Sequence, residues 1–224
     1  MESLNVKNLI LYKILKPRFR MLVKRLNEFH NIHEGEKIIV CGCGMSLLDF
    51  KEHHSKYITI GVNDVPAAFD PTYLVITDHP VRFSKVRQDL VNNSKVKAML
   101  TCVKGWRHER MVKFDLGKKG ISDLDDPDKV DHFLNSPYAA VNIAYKMGAR
   151  NIGLIGVDFT EGHFYAPKDG KHSLSRLGYM RDVNAGYLML RKALEKKGAK
   201  LYNLSQDSKV EHLEKITLNE FDEL

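Results

Sequence analysis

Residues 37–50 read KIIVCGCGMSLLDF. An unbroken apolar run breaks off into Gly42-Cys43-Gly44-Met45-Ser46, and a short apolar stretch follows. Strands covered on both faces have this continuous apolar character, unlike the alternating strands of one-sided sheets. A glycine turn from such a strand into a helix lets the backbone approach a ligand, and free N–H groups at a helix start attract anions. The stretch allows three readings: a phosphate-cradling turn, a metal or redox site built on Cys41 and Cys43, or a tight core corner. A C-x-C pair with no second cluster rarely makes a zinc site, so no metal ligands are assigned. Cys41 reads as strand core and Cys43 as lining of the turn. The third glycine of the dinucleotide fingerprint and the Gly-Lys-Ser/Thr ending of the P-loop are both missing.

The same pattern recurs down the chain. YITIGVND (57–64), TYLVITDHP (72–80), KVKAMLTCV (95–103), NIGLIGVDF (151–159) and AKLYNLS (199–205) read as further buried strands. SLLDFKEHH (46–54), PVRFSKVRQDLVNN (80–93), SPYAAVNIAYKMGA (136–149) and YMRDVNAGYLMLRKALEKKGA (179–199) lie between or after them and read as helices. The last two end in Gly-Ala, a helix stop signal. Alternation of this kind predicts an α/β fold: Rossmann-like, with a mostly parallel central sheet and helices on both faces. Residues 105–135 show no clear period and read as a long, partly irregular excursion of the kind that serves as a lid or binding loop.

Composition bounds the function classes. With 43% hydrophobic and 28% charged residues, the 224-residue chain can bury a core of ordinary size. Three scattered cysteines argue against a disulfide framework and for a reducing compartment. No run reaches the roughly 18 apolar residues of a membrane span, and the N-terminus lacks signal-peptide features. A cytoplasmic protein is expected. The net charge of +7 is concentrated at the start. Within residues 1–25, Lys7, Lys13, Lys16, Arg18, Arg20, Lys24 and Arg25 face only Glu2. Apolar residues interleave with these cations at helical spacing, and Pro17 divides the stretch. Residues 1–33 are therefore expected to form a basic amphipathic helical segment ahead of a nucleotide-binding domain over 34–224. Packing on the domain or on a second subunit is the common fate of such a segment. Peripheral membrane or nucleic-acid contact is the alternative, and a homo-oligomer is compatible with the first.

In open parallel sheets ligands bind beyond the carboxyl ends of the strands. Here those ends carry Gly42, Cys43, Gly44 and Ser46, then Asn63, then Thr77-Asp78-His79, then Asp158 and Thr160. With Ser136, read as the N-cap of the helix that follows, these are the candidate ligand-binding positions. The segment GVDFTEGHFYAPKDGKHSLSRLGYMRD (156–182) is dense in titratable and aromatic residues, including His163 and His172. A histidine titrating near neutrality there suits general-base chemistry. Neither the G-x-S-x-G elbow nor H-E-x-x-H is present, which argues against the common hydrolase and zinc-protease readings.

The ordered set IIVCGCGMSLLDF, IGVND, SPYAAVNIAYKMGARNIGLIGVDFTEGHFYAP and KLYNLSQDS resembles the bacterial single-domain sialyltransferases that use CMP-sialic acid. It also resembles the related family of 6-hydroxymethylpterin diphosphokinase and motility accessory factors. The resemblance spans residues 36–208. It implies that Gly42, Gly44 and Ser46 hold nucleotide phosphates and that Asn63 touches the nucleotide or the transferred group. Ser136 and Ala139 would sit by the base or phosphate, Asp158 by the ribose or base, and Tyr165 by a phosphate oxygen. The family's catalytic histidine falls to His172 first and His163 second. Cys43 stands where the sialyltransferases carry asparagine, and Met45 where they carry proline, which removes an amide from the donor side. The reaction implied is transfer from a nucleotide-sugar donor, a CMP-sugar or another, to an unknown acceptor without a metal. The pterin-kinase alternative would need Mg²⁺. A nucleotide-fold binding module without catalysis is the non-enzymatic alternative.

Overall fold

The computed structural model of the chain describes residues 23–120, 124–133, 135–160, 162–165 and 177–224. Its strands are β1 Lys24–Arg25, β2 Ile38–Cys41, β3 Ile58–Val62, β4 Tyr73–Ile76, β5 Ala98–Thr101, β6 Met111–Lys113, β7 Asp115–Lys119, β8 Lys129–His132, β9 Asn151–Ile155, β10 Lys200–Asn203 and β11 Glu214–Lys215. The helices are α1 Leu47–Phe50, α2 Lys85–Asn92, α3 Ser136–Lys146, α4 Leu177–Glu195 and α5 Leu218–Asp222. Nine strands form one all-parallel sheet in the order β1-β6-β5-β4-β3-β2-β9-β10-β11. The chain builds outward from β2 to β6, then returns to lay β9 on the other side of β2. The β2–β9 junction is thus a topological switch point, where a crevice opens beyond the strand ends.

Alternation within the strands explains why both faces are covered. Ile38, Val40, Ile60, Val62, Val75, Leu100, Ile152 and Leu154 point into one core, which α3 and α4 close with Tyr138, Ala140, Val141, Ile143, Val183, Tyr187 and Leu190. Ile39, Cys41 and Ile155 point the other way, onto Leu47 and Phe50 of α1 and Phe221 of α5. On that same kind of face, Leu74, Ile76 and Met99 pack on Phe83, Val91 and Trp106. Helices on both faces of a parallel sheet are what the periodicity predicts.

Several stretches differ from their sequence reading. Residues 105–135 are not simply an excursion: β6 extends the main sheet, and β7 with β8 makes a separate parallel pair. β6 is three residues long and β7 is mostly solvent-facing, so neither carries an apolar signal. The helical stretch from residue 46 is α-helical only as far as Phe50 and tightens into a 3₁₀ turn over Lys51–Lys56. At the N-terminus, residues 1–22 and the helix division at Pro17 lie outside the described residues. Residues 23–33 join the domain: β1 pairs with β6, and Leu26 is buried in the main core.

Candidate functional site

The crevice at the switch point is built by close backbone approach. Gly42 N donates to Ile155 O at 2.8 Å and Gly44 N to Gly156 O at 2.7 Å. A Cβ on Gly42 would overlap the Gly156 carbonyl, and one on Gly44 would overlap the Asp158 carboxylate. Glycine is required at both because β2 and β9 leave no room for a side chain between their ends. Ser46 ties the joint together. Its hydroxyl bonds Asp158 Oδ1 at 2.6 Å and Ser205 Oγ at 2.6 Å, and accepts from Gly156 N at 2.9 Å. Ser46 N donates to Asp158 Oδ2 at 2.9 Å. The carboxylate of Asp158, 4% exposed, is thereby held by the start of α1.

Above this joint lies a cleft of about 500 Å³, within the size range of small-molecule sites. Its walls come from the ends of β2, β3, β4 and β9 and the start of α3. Asn63 and Phe159, both on the wall, have positive φ of 51°. Asparagine tolerates that region, but for phenylalanine it is a strained conformation of a kind that gathers at functional sites. Asn63 Oδ1 is buried and has no hydrogen-bond partner among the described residues. At α3 the N-cap is Asn135, one residue earlier than the sequence suggested. Its Oδ1 accepts from Tyr138 N at 3.0 Å and from the Tyr187 hydroxyl at 3.1 Å. Ser136 begins the helix and its hydroxyl meets Thr77 Oγ1 at 2.8 Å, linking α3 to the end of β4.

The segment after β9 folds back over the glycine turn. Phe164 N donates to Cys43 O at 3.0 Å. His163 lines the cleft and stacks on Tyr165, with ring centroids 5.3 Å apart at an interplanar angle of 16°. Beneath them Asp64, 2% exposed, receives two bonds from Arg87, from Nε at 2.6 Å and Nη2 at 2.5 Å. The Arg87 guanidinium lies 4.3 Å from the Phe83 ring centre and 5.7 Å from that of Tyr165. Burial first, and the Asp64 charge second, push the Tyr165 phenol well above its ordinary range. The same two causes push the Cys43 thiol up to about 12. Cys43 is therefore a neutral wall residue, its thiol directed at Val62 O, rather than a thiolate ligand or nucleophile.

Of the sequence-derived candidates, Cys43, Gly44, Asn63, Asp78, Ser136, Asp158, Thr160 and His163 line this one cleft. Gly42 and Ser46 lie directly behind it, as the strand joint. Tyr165 reaches it through His163. Ala139 is fully buried in the main core and is not among the residues that line the cleft. His172 lies outside the described residues. Sequence reasoning passed over Asn135, Arg82 and Tyr179, which also line the cleft. Asn135 was legible as a capping residue, whereas Arg82 and Tyr179 lie on helical stretches that give no sign of which way they face. No helix among the described residues is long and apolar enough to cross a membrane.

No protein-family model matches the chain, and no curated protein matches it in sequence. Solved structures do. The chain is similar to the sialyltransferase CstII from Campylobacter jejuni, in complex with the substrate analogue cytidine-5'-monophosphate, at 13% identity and a TM-score of 0.51 over 83% of this chain and 86% of that one. The same enzyme with CMP-3FNeuAc gives 14% identity and a TM-score of 0.47, covering 82% and 86%. A crystal structure of the sialyltransferase CST-II with trisaccharide acceptor and CMP gives 13% and 0.49, covering 82% and 87%. At 13% identity the first of these likenesses, with its TM-score of 0.51, shows a shared fold, that of a bacterial sialyltransferase.

Proposed function

We propose that the chain is a nucleotide-sugar-dependent glycosyltransferase whose donor occupies the switch-point cleft. The observation that carries this reading is convergence: polar residues from separate strand ends and the start of α3 line one cleft, on a fold shared with an enzyme solved with a cytidine nucleotide. Gly42, Gly44 and Ser46 shape the floor through the β2–β9 joint. Asn63 and Ser136 supply polar contacts on the walls. Asp158, already fixed by Ser46, presents a rigid carboxylate edge toward a ribose or base.

In this reading a histidine of the segment after β9, His163 or His172, takes the proton from an acceptor hydroxyl. The freed oxygen attacks the anomeric carbon, the bond from that carbon to the phosphate oxygen breaks, and the nucleotide leaves with the electron pair. A base titrating near neutrality suits the proton transfer. No metal takes part.

Thermal shift against CMP, UMP, GMP, ADP, ATP and nucleotide sugars tests the binding half. Stabilisation by one nucleotide or its sugar is expected, and none by any of them overturns the reading. For the chemical half, His163→Ala and His172→Ala are compared in donor hydrolysis. One of them should keep nucleotide binding and lose turnover, at least about a hundredfold for a general base. Full activity in both removes histidine from the mechanism.

A further inference from the structure

The cleft has an unbalanced set of charges. Among the described residues on its wall, the carboxylates Asp78 and Asp158 stand against a single arginine, Arg82, and no lysine. A phosphate or carboxylate brought into this space meets like charge. The neutral donors that could offset it are largely engaged within the protein. Gly44 N bonds Gly156 O, Ser46 N and the Ser46 hydroxyl bond Asp158, and Tyr138 N bonds Asn135. Pro137, next along α3, has no N–H.

Arg82 is placed differently. It ends the 3₁₀ turn Pro80–Arg82 that follows β4, with its side chain 74% exposed. Among the described residues its guanidinium makes one hydrogen bond, Nη1 to Asp78 Oδ1 at 3.2 Å, whereas a guanidinium carries about five N–H donors in a planar fork. An exposed one-point pair of this kind holds its partners weakly, so the guanidinium can leave Asp78 at little cost. The fork matches the oxygen pair of a phosphate or carboxylate and bonds it at two points.

We propose that Arg82 is the anion-recognition residue of the cleft, exchanging its single bond to Asp78 for a two-point bond to a ligand phosphate or carboxylate. This rests on the nucleotide reading for the kind of ligand, and on the cleft alone for the residue. Asp78 is then a competitor that keeps the guanidinium aimed while the cleft is empty. It also repels anions that cannot bond at two points.

The test is calorimetric titration of CMP with cytidine, UMP with uridine, GMP with guanosine, AMP with adenosine, and free N-acetylneuraminic acid. The proteins are the wild type, Arg82→Ala, Arg82→Lys and Asp78→Asn, each checked for folding by circular dichroism. If phosphate is the anion, Arg82→Ala weakens the nucleotide at least about tenfold and leaves its nucleoside unchanged. Arg82→Lys recovers part of the loss, and Asp78→Asn raises the nucleotide-to-nucleoside preference. If a sugar carboxylate is the anion, Arg82→Ala weakens the sugar acid instead. Nucleotide-to-nucleoside preference and sugar-acid affinity both unchanged in Arg82→Ala overturn the assignment, even where nucleotides bind. If no nucleotide binds the wild type, the nucleotide reading fails by itself. The sugar-acid arm then decides Arg82: binding lost in Arg82→Ala supports it, and no binding or unchanged binding overturns it.

Discussion

Two aspartate–arginine pairs stand at the ends of neighbouring strands and behave oppositely. After β3, Asp64 is buried, with a side chain 3% exposed, and holds Arg87 by two short bonds. After β4, Asp78 and Arg82 are 36% and 74% exposed and share one bond at 3.2 Å. The first pair is locked, because separating it would leave a charge without water. The second is exchangeable, because water and ligands compete for both partners. One end of the sheet thus carries a fixed support and a movable contact, and only the movable one is suited to ligand recognition.

The largest test of this difference is removal of the cation. Arg87→Met leaves the Asp64 carboxylate buried and unpaired and should cost about 3 kcal/mol of stability, whereas Arg82→Met should cost under about 1 kcal/mol. Urea denaturation of both variants checks it, and equal losses would erase the distinction. A neutral counterpart of the locked pair is Ser46, whose hydroxyl meets Asp158, Ser205 and Gly156. Ser46→Ala should destabilise by about 1–3 kcal/mol, since buried partners lose their bonds. A stability loss near zero would mean that water replaces the hydroxyl.

The smallest effect expected is on titration. Cys43, beside Asp64, is raised from a usual value of 9.0 to about 12 by burial, with the Asp64 charge second. An acid raised on folding ionises first in the unfolded chain, so its contribution to stability is intact below pH 9 and is lost as pH climbs toward 12. Cys43→Ser should flatten that alkaline decline in pH-dependent unfolding. In the folded wild type, Cys43 should also resist iodoacetamide at pH 8. Rapid alkylation there would place a thiolate in the cleft and contradict the burial.

Much of this was readable in one dimension. Buried strands announce themselves as unbroken apolar runs, which made β2, β3, β4, β5, β9 and β10 legible together with the helices between them. Because ligands lie beyond parallel strand ends, Gly44, Asn63, Asp78 and Asp158 were legible as residues of one end of the sheet, and they line one cleft. The short or exposed strands β1, β6, β7 and β8 escaped, since pairing partners distant in sequence, not their own composition, make them strands.

By itself, then, the sequence determined the class of fold and the end of the sheet where the cleft opens, because apolar periodicity and glycine steps are local properties of the chain. Only the tertiary structure decided what those residues do once assembled. Asp158 turns out to be engaged by Ser46 and Asp64 locked by Arg87, while Arg82 has donors to spare among the described residues. Those assignments depend on burial and on which partners each side chain meets, from four residues away for Arg82 to more than a hundred for Ser46, and folding alone settles both.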